Sequence, residues 1–353
     1  MTAKTAGLSG QEGRQVAVCR STLRQTGQNT DHSEQGQDVS HQSLTNNSTS
    51  CRERAYAKVN LGLKVLSRRQ DGFHDLFSIF QAVTLHDLVT VTPAEEISLS
   101  CSDGSLPATS DNLAWRAADL YRRETDTGGC HIELIKNIPA GAGLGGGSSD
   151  AAAVLRALDR LAPKPLGLPR LAELGGAIGS DVPFSVLGGT MLVEGRGERL
   201  SRQAWTVPPR WWYLLVCPTA PVPTAWAYAE LAAARQTEAL SDPSPYSTLV
   251  SSARGGCLDA GKLWSVLEND FQPLVEGTKP IVARASQLLA DTAPLAQSMS
   301  GSGSTVYGIF DDRTAARHAQ CSLRDAEYPV FVCTPVESVI KTLGADYDGP
   351  LDD

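Results

Sequence analysis

Residues 139–150 read Pro-Ala-Gly-Ala-Gly-Leu-Gly-Gly-Gly-Ser-Ser-Asp and place five glycines within seven positions. Glycine has no Cβ, so it enters backbone regions closed to other residues and lets a ligand approach the main chain. Residues 131–136 before the loop alternate polar and apolar side chains, as a half-buried strand does. Residues 150–161 after it have apolar side chains at helical spacing, with Ser149 as the expected N-cap. The stretch therefore predicts an anion site, where free N–H groups meet the positive end of a helix dipole.

Two common phosphate-binding loops do not fit this stretch. A Walker A loop ends in Gly-Lys-Ser/Thr, whereas Gly147 is followed by Ser148. A dinucleotide-binding loop has an acidic residue about 20 residues further on, at the end of a second strand. Asp159 and Glu173 lie near that distance, but both lie in helix-like sequence. A flexible linker is also disfavoured, because the loop lies between a strand pattern and an alanine-rich helix.

The composition is typical of a globular protein of the cytoplasm. The 353 residues are 41% hydrophobic, and their formal net charge of −8 argues against non-specific nucleic-acid binding. No apolar run approaches the roughly 20 residues of a membrane span, so we expect no membrane partner. The eight cysteines are scattered without a C-x-x-C pair, which indicates reduced thiols and no zinc site.

The chain divides into an atypical beginning and an α+β remainder in two parts. Residues 1–50 are rich in Ser, Thr, Gln and Asn without an apolar period, which predicts a disordered extension. A plastid transit peptide and an over-extended start site are the alternatives. Strand and helix patterns then alternate, and Pro208-Pro209 indicates a domain boundary. We expect helices over 112–123, capped by Asp111, and over 261–274, and strands around a turn over 185–193.

The first strand pattern places two polar side chains together. Residues 55–66 alternate so that Ala57, Val59, Leu61 and Leu63 share one face, which we expect to be core. Lys58 and Asn60 project from the opposite face.

The glycine loop resembles a known ATP loop. The pattern Pro-x-x-x-Gly-Leu-Gly-Gly-Gly-Ser-Ser-Asp-Ala-Ala at 139–152 is similar to that of the GHMP kinases, the galactokinase, homoserine kinase and mevalonate kinase superfamily. Ala-Lys-Val-Asn-Leu at 57–61 resembles the first block of that superfamily, and Ser-Gly-Ser-Gly-Ser at 300–304 resembles the third.

Two further blocks are more specific. Asp-Gly-Phe-His-Asp-Leu at 71–76, followed by Gln81, resembles one family, the 4-diphosphocytidyl-2-C-methyl-D-erythritol kinases of the non-mevalonate isoprenoid pathway. Gly-Ser-Asp-Val-Pro-Phe at 179–184 is similar to that family's catalytic loop. The resemblance covers residues 55 to about 340, with all blocks in the expected order.

The resemblance implies a two-domain fold. We expect an N-terminal domain like domain 2 of ribosomal protein S5, which binds ATP, over 51–205, and a ferredoxin-like C-terminal domain over 206–345. Residues 1–50 and a frayed tail over 346–353 lie outside both. The family's activity implies phosphorylation of the 2-hydroxyl of the cytidyl substrate, with ATP and Mg²⁺ as the cofactor. We expect a monomer or weak homodimer, between which the sequence does not decide.

The resemblance also assigns roles to individual residues. Lys58 and Asp181 match the family's catalytic pair: the carboxylate accepts the hydroxyl proton, and the lysine neutralises charge on the phosphoryl group. The expected substrate-binding residues are Asn60, at the methylerythritol end, and Phe73, His74 and Tyr228, at the cytosine. Phe73 stands where the family typically has Tyr. The expected ATP-binding residues are Pro139, Ala140, Gly141, Ala142, Gly143, Leu144, Gly145, Gly146, Gly147, Ser148 and Ser149.

Several alternatives stay open at this point. Trp226 competes with Tyr228 for the stacking position, and the metal ligands are unassigned. One of Ser148 and Ser149 contacts a phosphate or Mg²⁺, or both serve only in helix capping. Asp150 is interpreted as an acid of the first helical turn in preference to a metal ligand. The rival functions are another GHMP small-molecule kinase, of the homoserine or mevalonate type, and an inactive nucleotide-binding regulator.

Overall fold

The structure is a computed structural model that describes residues 50–202, 206–235, 244, 249, 263–264 and 266–338. The predictions for the N-terminal extension and the C-terminal tail lie outside these residues. Within the described ranges, no helix is long and apolar enough to cross a membrane.

The first sheet has six strands and is built around one long antiparallel hairpin. Its strands run in the order β3-β4-β2-β5-β6, with β1 paired to β2, and β3 and β4 are parallel. The strands are β1 Cys51–Arg68, β2 His74–Ala94, β3 Ser98–Cys101, β4 Gly129–Ile135, β5 Thr190–Gly195 and β6 Arg199–Arg202. Register shifts along the β1–β2 pair, such as the one between Tyr56 and Lys58, change which side chains face the helices.

Four helices lie on one side of the first sheet, where the first two pack on its strands and the last two pack mainly on the other helices. They are α1 Leu113–Thr125, α2 Gly146–Leu161, α3 Leu168–Ile178 and α4 Val182–Leu187. Alternate residues such as Val89, Val91 and Ile132 form a buried cluster with these helices. Because α2 is rich in buried alanine, it lies close to the sheet, and its N-terminus is held at the end of the glycine loop.

The second sheet has four antiparallel strands in the order β10-β7-β9-β8. Its strands are β7 Trp212–Val216, β8 Ala296–Met299, β9 Val306–Phe310 and β10 Val330–Cys333. The accompanying helices are α5 Thr224–Ala234, α6 Gln272–Thr278, α7 Pro280–Ala290 and α8 Arg313–Ser322. The chain order, with helices after β7 and after β9, is ferredoxin-like, which confirms the predicted α+β fold class.

The two sheets are joined by a shared core. Tyr213, Leu215, Tyr307 and Ile309 of the second sheet cluster with residues of β1 and β2. The alternate side chains of β7, beginning with Leu214, face the helices of the second sheet instead. The β1 residues in the shared core are Ala57, Val59 and Leu61, as the alternation predicts. Leu63 does not follow the prediction: a register shift after Asn60 places it with the helices of the second sheet.

Two predicted helix caps are wrong. Helix α2 begins at Gly146 with Gly145 as its N-cap, so Ser149 lies inside the helix, where its hydroxyl donates to the Tyr56 carbonyl oxygen at 2.7 Å. Helix α1 is capped by Asn112, not Asp111, because the Asn112 side chain accepts from the Ala114 N–H.

Two predicted elements also differ. The expected strand at 185–187 belongs to the short helix α4, which Pro183 in its first turn favours, and only Thr190–Gly195 is a strand. Of the expected helix over 261–274, residues 266–271 form turns and a bridge, and α6 begins at Gln272.

Candidate active site

A cavity of about 1110 Å³ lies where the two sheets meet. It is lined by Lys58 and Asn60 of β1, by Asp181 at the start of α4, and by Gly301 and Ser302 from the turn between β8 and β9. The cavity also reaches the β1–β2 turn and α5, where it is lined by Phe73, His74 and Tyr228. Residues far apart in the sequence therefore converge on one concave site of ligand size.

The glycine loop touches the third sequence block through its backbone. Gly143 has φ +77°, and a Cβ there would lie 2.2 Å from the Ser300 carbonyl oxygen. The Ser300 hydroxyl donates to the Gly143 carbonyl oxygen at 2.9 Å, and the Thr305 N–H donates to that of Ala142 at 3.2 Å. The close approach therefore requires glycine at 143.

The loop presents its backbone more than its side chains. Ala142 and Leu144 are buried in the shared core, so of the predicted ATP-binding residues these two can contribute main-chain groups only. Gly143 and Gly145 line the cavity. The first N–H groups of α2 have no partner inside the helix, which leaves donors for an anion at this end.

The predicted catalytic pair is brought together in the cavity. The Lys58 Nζ lies 3.8 Å from Asp181 Oδ2, and the lysine is nearly buried while the carboxylate is about one-third exposed. The Lys58 backbone N–H donates to the Leu144 carbonyl oxygen at 3.0 Å, which fixes the lysine beside the glycine loop. Burial lowers the pKa of Lys58 from its ordinary value, and the nearby Asp181 carboxylate partly opposes this by raising it.

Asn60 links the pair to the third block. Its side-chain Oδ1 accepts from Lys58 Nζ and from the Gly301 N–H, both at 2.8 Å, and its Nδ2 donates to Ser78. Its backbone oxygen accepts from the Tyr307 hydroxyl at 2.7 Å. The amide oxygen of Asn60 is thus engaged within the protein, and one N–H of its Nδ2 is left for a ligand.

The predicted base-binding residues lie at the other end of the cavity. The rings of His74 and Tyr228 are stacked, with centroids 5.4 Å apart and planes inclined by 19°. Phe73 is 55% exposed, and the Arg196 guanidinium lies 5.0 Å from its ring centroid. Of the two rivals on α5, Tyr228 lines the cavity, whereas Trp226 packs with the core of the second sheet under the Lys279 ammonium.

The electrostatics of this end favour neutral rings. Burial lowers the pKa of His74, and the positive charges of Arg68 and Arg235 lower it further. Burial raises the pKa of Tyr228 to about 12, and the Asp181 charge adds to this. At neutral pH both side chains are therefore uncharged and can stack on a base or form hydrogen bonds to it.

The start of α2 rests on a buried charge cluster that the sequence did not reveal. Lys136 Nζ donates to Asp87 and, at 2.5 Å, to Asp150 Oδ2. Asp87 Oδ1 in turn accepts from the backbone N–H of Ile138. Asp150 is therefore paired with Lys136, and this contact fixes the start of α2, the helix that follows the glycine loop.

Two further residues at the site carry no sequence signal of their own. Phe80 lies against the Lys58 ammonium. Asn269 Nδ2 donates to the carbonyl oxygens of Met299, at 2.7 Å, and Gly301, at 2.8 Å, so it holds the same glycine whose N–H is bonded to Asn60. Both are long-range contacts, and no local pattern distinguishes either residue from ordinary strand or turn sequence.

Comparison with known proteins identifies two matching family models and several similar proteins. The family model for the GHMP kinase N-terminal domain matches residues 112–189, and the model for the GHMP kinase C-terminal domain matches 259–329. A 4-diphosphocytidyl-2-C-methyl-D-erythritol kinase of Citrifermentans bemidjiense is 39% identical over 275 residues, covering 77% of this chain and 94% of the relative. One of Salinibacter ruber is 40% identical over 277 residues, covering 76% and 93%.

Solved structures show the same fold. A crystal structure of 4-(cytidine 5'-diphospho)-2C-methyl-D-erythritol kinase superposes with a TM-score of 0.67 and 33% identity, covering 81% of this chain and 99% of the other. Mevalonate kinase of Methanococcus jannaschii superposes with a TM-score of 0.59 at 12% identity, covering 83% and 99%, which shows the fold alone. The chain belongs to the 4-diphosphocytidyl-2-C-methyl-D-erythritol kinase family of the GHMP kinases.

Proposed function

We propose that this protein transfers the γ-phosphoryl group of ATP to the 2-hydroxyl of 4-diphosphocytidyl-2-C-methyl-D-erythritol, with ADP as the other product. The observation that carries the proposal is the Lys58–Asp181 pair, 3.8 Å apart, in a cavity that has the glycine loop on one side and aromatic rings on the other. Such a cavity separates a phosphate donor from a base-bearing acceptor with the charged pair between them. The family membership supports the same assignment.

In the proposed reaction, Asp181 orients the acceptor hydroxyl and takes its proton as the oxygen attacks the γ-phosphorus. The bond between the γ-phosphorus and the bridging oxygen to the β-phosphate breaks, and ADP leaves. Phosphoryl transfer depends mainly on positioning and on electrostatic stabilisation, so the buried Lys58 ammonium contributes by offsetting charge on the transferred group. Asn60 keeps that ammonium in place and offers its remaining N–H to the acceptor.

The ATP phosphates are proposed to lie against the glycine loop, with the N–H groups of Gly146 and Gly147 among the donors. Ser148 is the hydroxyl proposed to face the phosphates, because it is half-buried while Ser149 is already bonded to Tyr56.

Mg²⁺ fits this site only as a phosphate-bound ion. In the described ranges, no group of three or more His, Cys, Asp or Glu side chains could hold a metal, and Asp150 is occupied by Lys136. Mg²⁺ commonly keeps one or two protein ligands beside substrate phosphates and water, and Ser148 would be one such ligand here. When bound, the ion would neutralise phosphate charge.

The cytosine is proposed to bind between Phe73 and Tyr228, and the His74 ring, which stacks on Tyr228 in this structure, to move to the polar edge of the base. The two rings line the same end of the cavity, and both Tyr228 and His74 are uncharged at neutral pH. We further propose a cytoplasmic location, which the scattered cysteines favour. The expected monomer or weak homodimer would be tested by sedimentation.

The chemical assignment is tested with Asp181→Asn, which keeps the shape of the side chain and removes its charge. General-base catalysis contributes about 10²–10⁴-fold, so kcat should fall by that order while both ligands still bind. Lys58→Ala should cost a similar factor, and the double variant should lose much less than the product of the two losses, because both residues act on one event. Asp103→Asn, at an exposed turn, is the matched control. A near-normal kcat in Asp181→Asn would show that another group accepts the hydroxyl proton.

The acceptor is tested in a coupled ADP-release assay with the cytidyl substrate, homoserine and mevalonate. We expect turnover with the cytidyl substrate alone. Preferred turnover of homoserine or mevalonate would assign another GHMP kinase activity. ATP binding without turnover of any acceptor would favour the inactive regulator.

A further inference from the structure

The buried Lys58 ammonium has an aromatic neighbour. Its Nζ lies 4.8 Å from the centroid of the Phe80 ring. This is within the roughly 6 Å at which a cation over an aromatic face is attracted by the ring quadrupole. Phe80 pairs with Asn60 in the β1–β2 register, so the ring reaches the ammonium from the neighbouring strand.

The ring is braced so that it cannot swing away. Phe80 is 3% exposed, and the Phe184 ring meets it nearly perpendicularly, with centroids 5.2 Å apart. Phe184 belongs to α4, the helix that begins directly after Asp181. Leu76 and Met191 are among the other members of the same buried cluster. The element that presents the carboxylate therefore also fixes the ring that faces the lysine.

The groups around Lys58 are otherwise short of negative charge. Among the described residues, Asp181 is the acid in contact with its Nζ, at 3.8 Å. Asp87 of β2 and Asp150 of α2, buried acids on elements packed against β1, are paired with Lys136 instead. Asn60, from its own strand, is neutral, and the neighbouring turns contribute the backbone at Gly145 and Gly301. A second carboxylate would hold the ammonium but cancel its charge, whereas an aromatic face attracts it and leaves the charge available for a phosphoryl group.

We propose that Phe80 is a positioning residue of the phosphoryl-transfer site, whose ring face holds the Lys58 ammonium protonated and aimed between Asn60 and Asp181. The proposal rests on the proposed function for its consequence in catalysis. Burial lowers the pKa of Lys58, and the ring acts in the same direction as Asp181, which raises it.

The first test replaces Phe80 by phenylalanine carrying one, two and three ring fluorines. Fluorine weakens the negative ring face step by step and leaves the shape nearly unchanged. The pKa of Lys58 is read by NMR titration of protein with isotope-labelled lysine, assigned by comparison with Lys58→Arg. We expect the pKa to fall progressively, by about 1 to 1.5 pH units over the series. A constant pKa over the series would overturn the proposal.

The second test compares Phe80→Leu with Phe77→Leu. Both phenylalanines lie on β2 and are buried, but Phe77 clusters with the core between the two sheets. For Phe80→Leu we expect a lower kcat and an alkaline limb of the kcat/KM profile that moves to lower pH. The alkaline limb of Phe77→Leu should stay in place, and an equal shift in both variants would contradict the proposal.

The two readouts separate failure of this inference from failure of the proposed function. If Lys58 takes no part in the reaction, the fluorinated series still shifts its pKa, and the rate stays unchanged. If the ring has no role, Lys58→Ala still lowers kcat by about 10²–10⁴-fold, and the pKa of Lys58 stays constant across the series.

Discussion

Replacing Gly143 by alanine tests whether the glycine loop must touch the third sequence block. Gly143 has φ +77°, and an added Cβ would lie 2.2 Å from the Ser300 carbonyl oxygen and 2.9 Å from that of Gly303. Both neighbours are backbone atoms, so no side chain can turn aside. The two loops must separate by roughly 1 Å, and a misplacement of about 1 Å costs on the order of 10²-fold in rate.

Gly141→Ala is the matched control in the same loop. Gly141 also has a positive φ, +66°, but an added Cβ would meet only the Pro221 side chain, at 3.4 Å, an ordinary contact. Both variants carry the strain of a side chain in the left-handed region, about 1–2 kcal/mol. The difference between the two variants therefore isolates the contact between the loops.

The measurements are kcat and KM for ATP in the coupled assay, with Tm by calorimetry. We expect kcat of Gly143→Ala to be about 100-fold lower than that of the wild type, and kcat of Gly141→Ala to stay within roughly tenfold. Tm of Gly141→Ala should fall by several degrees from strain alone. Equal kcat values in two folded variants would refute the reasoning that the loop contact positions the phosphates.

Two other substitutions are predicted from the site. Phe73→Ala should raise KM for the cytidyl substrate about 5- to 150-fold, the range of base–aromatic stacking, and leave KM for ATP unchanged. The measurement is steady-state kinetics with each substrate varied in turn, and an equal effect on both KM values would contradict the base-binding role of Phe73. Asp150→Asn should flatten the pH dependence of the unfolding free energy. Burial raises the pKa of Asp150 from 3.8 to about 7, against the pull of Lys136 and with the help of Asp87. The folded protein therefore binds this proton more tightly than the unfolded chain, and the resulting stabilisation is lost as pH rises from about 4 to 7. Urea titrations across that window should show a smaller loss of unfolding free energy in the variant than in the wild type.

The fold and the proximity of Lys58 to Asp181 were predictable because their signals are local or belong to recognisable blocks. The alternation of residues 55–66 separates the core face from the face of Lys58 and Asn60, and the structure confirms that separation. The glycine loop lies between a strand and a helix, as its flanking patterns indicate. Each of these predictions depends on neighbours within a few positions along the chain.

What the sequence could not reveal depends on contacts between distant segments. Serine is a common N-cap residue, but the Ser149 hydroxyl donates to the backbone carbonyl oxygen of Tyr56, a residue 93 positions away. Lys136 lies at the end of a strand pattern and looks solvated, yet it is buried with Asp87 and Asp150. Phe80 reads as a core residue of a strand, and only the register of β1 against β2 places it beside a lysine.

The single amide oxygen of Asn60 serves donors from two different parts of the chain, Lys58 and Gly301. Aspartate there would lose the donor to Ser78 and add negative charge next to the ammonium, and glutamine would add a methylene where there is no room. Few residues can therefore replace Asn60 without losing the hydrogen bonds to Lys58 and Gly301 together. Adaptation to a new acceptor would have to proceed at the cavity rim, around Phe73 and Tyr228, where one side chain can change while the reaction machinery stays intact.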